Sequence, residues 1–159
     1  MRSSVFIAHP VTGTGNPEAA ADTARDLRTA LIGLGCAVRP EVIVDREVAT
    51  SRIRAGAGRL LATGNVEQVA SATMLVILAD GAAETSSVWI EAGVALARGV
   101  PTVVVASPGT ALPFLLTSAL GVDAGSLPAC HRITADLRRS DIRSVAREIL
   151  ALAQPGSAA

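Results

Sequence analysis

Residues 65–107 read N-V-E-Q-V-A-S-A-T-M-L-V-I-L-A-D-G-A-A-E-T-S-S-V-W-I-E-A-G-V-A-L-A-R-G-V-P-T-V-V-V-A-S. Met74 to Ala79 is a continuous apolar run, which predicts a strand buried on both faces. It ends at Asp80, and a polar loop follows. Val88 to Arg98 places apolar residues at three-and-four spacing, the pattern of a helix with one inner face. Pro101 then opens a second apolar, β-branched run, Thr102 to Ala106. Strand, loop, helix and strand in this order make the repeating unit of a parallel sheet.

The flanks extend the same alternation. Val5 to Ala8 predicts a short first strand, closed by His9-Pro10. A Gly- and Thr-rich loop follows, with Gly13 and Gly15. Asn16 and Pro17 are suited to cap and start a helix, and Gly35 to end it. Ala37 to Val44 predicts a strand that Pro40 pushes to a sheet edge. Asp45 to Leu61 is Arg-rich and mostly helical. Thr63-Gly64 predicts a break, with Asn65 capping a short helix over Val66 to Ala72 and Glu67 or Gln68 assisting. Downstream, Leu112 to Leu120 predicts a short apolar helix and Cys130 to Thr134 a last strand. Arg139 to Gln154 predicts a final helix capped by Ser140. The expectation is one α/β domain over residues 1–154 with a frayed tail over 155–159. Its architecture is a doubly wound, five-stranded parallel sheet, a flavodoxin-like or Rossmann-like sandwich.

Composition narrows the function classes. The 159 residues carry no net charge, so nothing in the balance points to nucleic acid or to a membrane surface. All 14 basic residues are arginine, which excludes a Schiff-base or P-loop lysine. The two cysteines lack metal-ligand spacing, and no metal or cofactor is expected. No G-x-G-x-x-G occurs, which argues against a dinucleotide fingerprint. The scarcity of aromatic residues argues against a flavin site. No apolar run reaches the roughly 18 residues of a membrane span, and because the N-terminus enters a strand directly no leader is expected. A cytoplasmic protein is expected.

Ligands of such sheets bind at the carboxyl ends of the strands. Those ends carry His9-Pro10, Asp45, Asp80-Gly81 and Ser107-Pro108. Glu91 is the residue that needs explaining. The helix dipole favours a carboxylate in a first turn by roughly 0.3–1 kcal/mol. Yet Glu91 shares a face with Val88, Ala92 and Ala95 and so points toward the sheet. Burying an unpaired carboxylate costs several kcal/mol, so such a group has partners or a task.

The pattern D-G-x(9)-E-A-G-x-A-L-A-x-G-x-P-x-V-V-V over residues 80–105 resembles the core of the nucleoside 2-deoxyribosyltransferase superfamily. The first strand's I-A-H-P is similar to that family's N-terminal loop, and the likeness spans roughly residues 4–107. It implies that Glu91 is a nucleophile that attacks the anomeric carbon of a nucleoside or nucleotide, as a carboxylate does at an oxocarbenium-like transition state. It implies further that Asn65 stands where the family has an acid beside the base. His9, Pro10, Gly13 and Gly15 would line the base and phosphate side. Asp80, with Gly81, and Thr85, Ser86 and Ser87 would hold the sugar, and the acid of the family's D-S-G-T loop is absent or replaced by Glu84. A homo-oligomer, with sites completed across subunits, is also implied. The stretch S-S-V-W-I-E, residues 86–91, is similar to Toll/interleukin-receptor-like domains, some of which hydrolyse NAD with a glutamate. Both resemblances assign Glu91 to an N-glycosidic bond. The competing class is a non-catalytic nucleotide-binding or signalling module.

Overall fold

The computed structural model describes residues 3–10, 16–43, 46–79, 88–113, 116–117, 129–137 and 140–152. Within them lie strands β1 (Ser4–Ala8), β2 (Ala37–Arg39), β3 (Met74–Ala79), β4 (Thr102–Ala106) and β5 (Cys130–Thr134). The helices are α1 (Pro17–Gly33), α2 (Arg46–Arg52), α3 (Gly58–Ser71), α4 (Val88–Arg98) and α5 (Ile142–Leu152). The strands form one sheet in the order β2-β1-β3-β4-β5, and every pairing is parallel. This is the flavodoxin-like order, whose switch point lies between β1 and β3.

The sheet has a core on each face because successive strand residues point to opposite sides. Met74, Val76 and Leu78 join the side chains of α1 and α5 on one face. Leu75, Ile77 and Ala79 join Val69 of α3 and Val88, Ala92 and Ala95 of α4 on the other. All of β3 is buried, which is why its sequence shows no polar alternation.

Asn16 caps α1 as expected, its Oδ1 accepting from the Ala19 backbone N–H at 3.0 Å. Asn16→Ala is expected to lower unfolding free energy by about 1 kcal/mol, read from urea midpoints at constant slope.

Four expectations change. The break at Thr63-Gly64 is absent, and α3 runs through both residues. A glycine in a helix costs only about 1 kcal/mol against alanine, and the wholly buried Val69 anchors the segment more strongly. The real break lies upstream. There Gly56 takes a left-handed φ of 80°, in the kinked turn Ile53–Ala57 that joins α2 to α3. Asn65 is therefore an interior helical residue and not a cap, and Glu67 and Gln68 have no capping role.

β2 lies at the sheet edge but stops at Arg39, since Pro40 has no N–H for the ladder. The cap of α5 is Asp141, whose Oδ1 accepts from the Arg143 N–H at 3.1 Å, and Ser140 stands one residue too early. Most of the helix expected over residues 112–120, and the tail over 155–159, lie outside the described residues. Among the described residues no helix is long and apolar enough to cross a membrane.

Candidate active site

Glu91 lies in the first turn of α4, one residue before Ala92 and one turn after Val88. Those two neighbours are buried against the sheet, and Glu91 sits at the shoulder of their face, partly buried. Its partner comes from α3. Asn65 lies one turn before the buried Val69, so the same helical face carries it toward α4. The Asn65 Nδ2 donates to Glu91 Oε1 at 3.0 Å, across 26 residues of chain. An interior position leaves this side chain available for the bond. A capping asparagine would have folded back on its own backbone.

Burial pushes the Glu91 carboxyl up to about 7, and the Asn65 hydrogen bond lowers it without cancelling that effect. No cation pairs with Glu91 among the described residues. A carboxyl raised this far by burial changes its charge near the physiological range. It is therefore poised to act as a nucleophile or to exchange a proton. One turn beyond Asn65, the buried Oε1 of Gln68 has no donor among the described residues. The sequence assigns Gln68 to a cap, and the continuous helix makes it a partly buried interior residue instead.

Asn65→Leu removes a donor and keeps the bulk. It is expected to raise the Glu91 titration above about 7, followed by NMR of labelled glutamate carboxyls. A lower or unchanged midpoint would show that the hydrogen bond does not act on the charge.

His9 and Pro10 follow β1, whose last residue, Ala8, pairs with Ile77 of β3. Both are buried, and they leave the sheet at the switch point. The other expected site residues, Gly13, Gly15, Asp80, Gly81, Glu84, Thr85, Ser86 and Ser87, lie outside the described residues. Trp89 packs at the margin of the core under α4. Cys36 and Cys130 are both free thiols, and burial pushes Cys130 up to about 11. Among the described residues no group of three or more His, Cys, Asp and Glu is gathered to hold a metal.

No family model matches the chain, and no curated protein sequence does. Among solved structures, the CMP N-glycosidase BcmB of Clostridium botulinum superposes with a TM-score of 0.60. The match covers 92% of this chain and 98% of that one, at 12% identity. The likeness is one of fold. It runs almost the full length of both chains, so it concerns the whole doubly wound sheet and not a single βαβ unit.

Proposed function

We propose that this chain cleaves the N-glycosidic bond of a nucleotide or nucleoside, with Glu91 as the nucleophile. The observation that carries the reading is the Asn65–Glu91 pair. It is a partly buried carboxylate with no counter-cation among the described residues, held by one amide on the first turn of the helix that follows the central strand. A carboxylate so placed gains most when positive charge develops beside it, as at the anomeric carbon of an oxocarbenium-like transition state. The likeness to a CMP N-glycosidase supports the reading at the level of fold.

In this scheme a Glu91 oxygen attacks the anomeric carbon and the base departs with the bonding electrons. Water, or a second base, then takes the sugar from the glutamyl ester. Asn65 orients the attacking carboxylate through Oε1 and leaves the second oxygen for the sugar. An amide cannot supply a proton to the departing base. That favours substrates whose base leaves as a neutral molecule unaided, and an N-ribosyl pyridinium such as NAD is the second reading on this ground.

The test is a panel of nucleosides, nucleoside 5′-phosphates and NAD, with free base read by chromatography. Release of base from any member supports the proposal, and the preferred member separates the two readings. Binding without release would replace it with the non-catalytic module. The pH dependence gives a sign. A nucleophile must be ionised, so kcat/KM is expected to rise with pH and level off above about 7. A rate that falls through the same range would make Glu91 a proton donor instead.

A further inference from the structure

A cleft of about 600 Å³ opens between α1 and α5, on the face of the sheet opposite Glu91. That volume lies within the usual range for small-molecule sites. Its two walls differ in chemistry. From α5 come Arg143 and Arg147, one turn apart and so on the same side of the helix. Both are exposed, and neither has an ion pair among the described residues. Like charges at this spacing repel, and among the described residues no carboxylate pairs with either. From α1 come Asp26 and Thr29. The Thr29 hydroxyl donates to the Arg25 carbonyl at 2.9 Å, so toward the cleft it offers lone pairs. Asp26, likewise without an ion pair, offers a carboxylate. Ile142 and the exposed Leu34 add apolar surface between the walls.

We infer that this cleft binds a phosphomonoester carrying hydroxyl donors and an apolar face, of the class of a nucleoside 5′-monophosphate. The paired guanidiniums take the phosphate, which suits their forked donors. Asp26 and Thr29 accept from the sugar hydroxyls. Bare phosphate satisfies one wall only and meets the Asp26 charge, so it binds more weakly. The backbone start of α5 plays no part, because Asp141 already caps it. The inference stands independently of the role proposed for Glu91.

The experiment is calorimetric titration with the common nucleoside 5′-monophosphates, ribose 5-phosphate and inorganic phosphate. Wild type and the double variant Arg143→Gln/Arg147→Gln are compared, with melting curves for each. A loss of tenfold or more in the double variant, with its native melt kept, is the expected result. Equal affinity in wild type and the double variant overturns it, as does the absence of binding to wild type. Should the double variant lose its native melt, Asp26→Asn decides. Weaker nucleotide binding together with tighter inorganic phosphate binding supports the site, and unchanged affinities overturn it.

Discussion

Glu91→Gln is expected to abolish the release of free base, with a loss on the order of a thousandfold or more in kcat. The substitution is nearly isosteric. The glutamine carbonyl still accepts from the Asn65 Nδ2, so the α3–α4 contact is kept. What disappears is the charge and with it the nucleophile, since an amide oxygen does not form the glycosyl ester. Initial rates on whichever panel member the wild type cleaves best measure the effect. Mass spectrometry of wild type quenched in the steady state adds a second reading, a protein mass increased by one sugar at Glu91. Equal release from both proteins would end the assignment of Glu91 as nucleophile, whatever the affinity.

The same variant is expected to be more stable than wild type at alkaline pH, by on the order of 3 kcal/mol, and to lose that advantage in acid. The sign follows from the titration. The Glu91 carboxyl is raised from 4.5 in the unfolded chain to about 7 in the folded one. Below pH 4.5 both states hold the proton and the group is neutral in its partly buried place. Between 4.5 and about 7 the unfolded chain releases its proton while the folded chain keeps it, so folding loses stability as pH rises. Above about 7 the burial of an ionised carboxylate is carried in full. Glutamine has no such titration. Melting curves of both proteins from pH 4.5 to 8.5 should therefore diverge with rising pH. Parallel curves would mean that Glu91 is not held in the environment described. Together the two results would mark Glu91 as a residue kept at the expense of stability, as is common at functional sites.

Much of this architecture is legible in the sequence because the signals are local. The bounds of β3, α4 and β4 follow from apolar runs and three-and-four spacing that need no knowledge of their neighbours. Asn16-Pro17 marks the start of α1 for the same reason, since a cap is settled within one turn. The misreadings occur where a local preference competes with packing. Gly64 looks like a break, yet Val69 holds its helix on the sheet. Ser140 looks like a cap, but Asp141 stands directly before the first residue of α5 and its carboxylate accepts from the Arg143 N–H. At Gly56 the order is reversed: the stretch from Asp45 to Leu61 reads as mostly helical, yet the chain kinks at this glycine.

The sequence by itself determined that this is a parallel α/β domain and that one glutamate lies on the inner side of α4. Periodicity and turn chemistry carry both, and they are properties of neighbouring residues. Tertiary structure alone decided the sheet order and the meeting of Asn65 with Glu91. Strand order depends on which helices cover which face, and no single segment encodes that. The pair depends on α3 running unbroken past Gly64, so that an asparagine suited to capping instead turns its amide across to the next helix. The opposed walls of the cleft between α1 and α5 arise in the same way, from two helices separated in the chain and packed side by side over one face of the sheet.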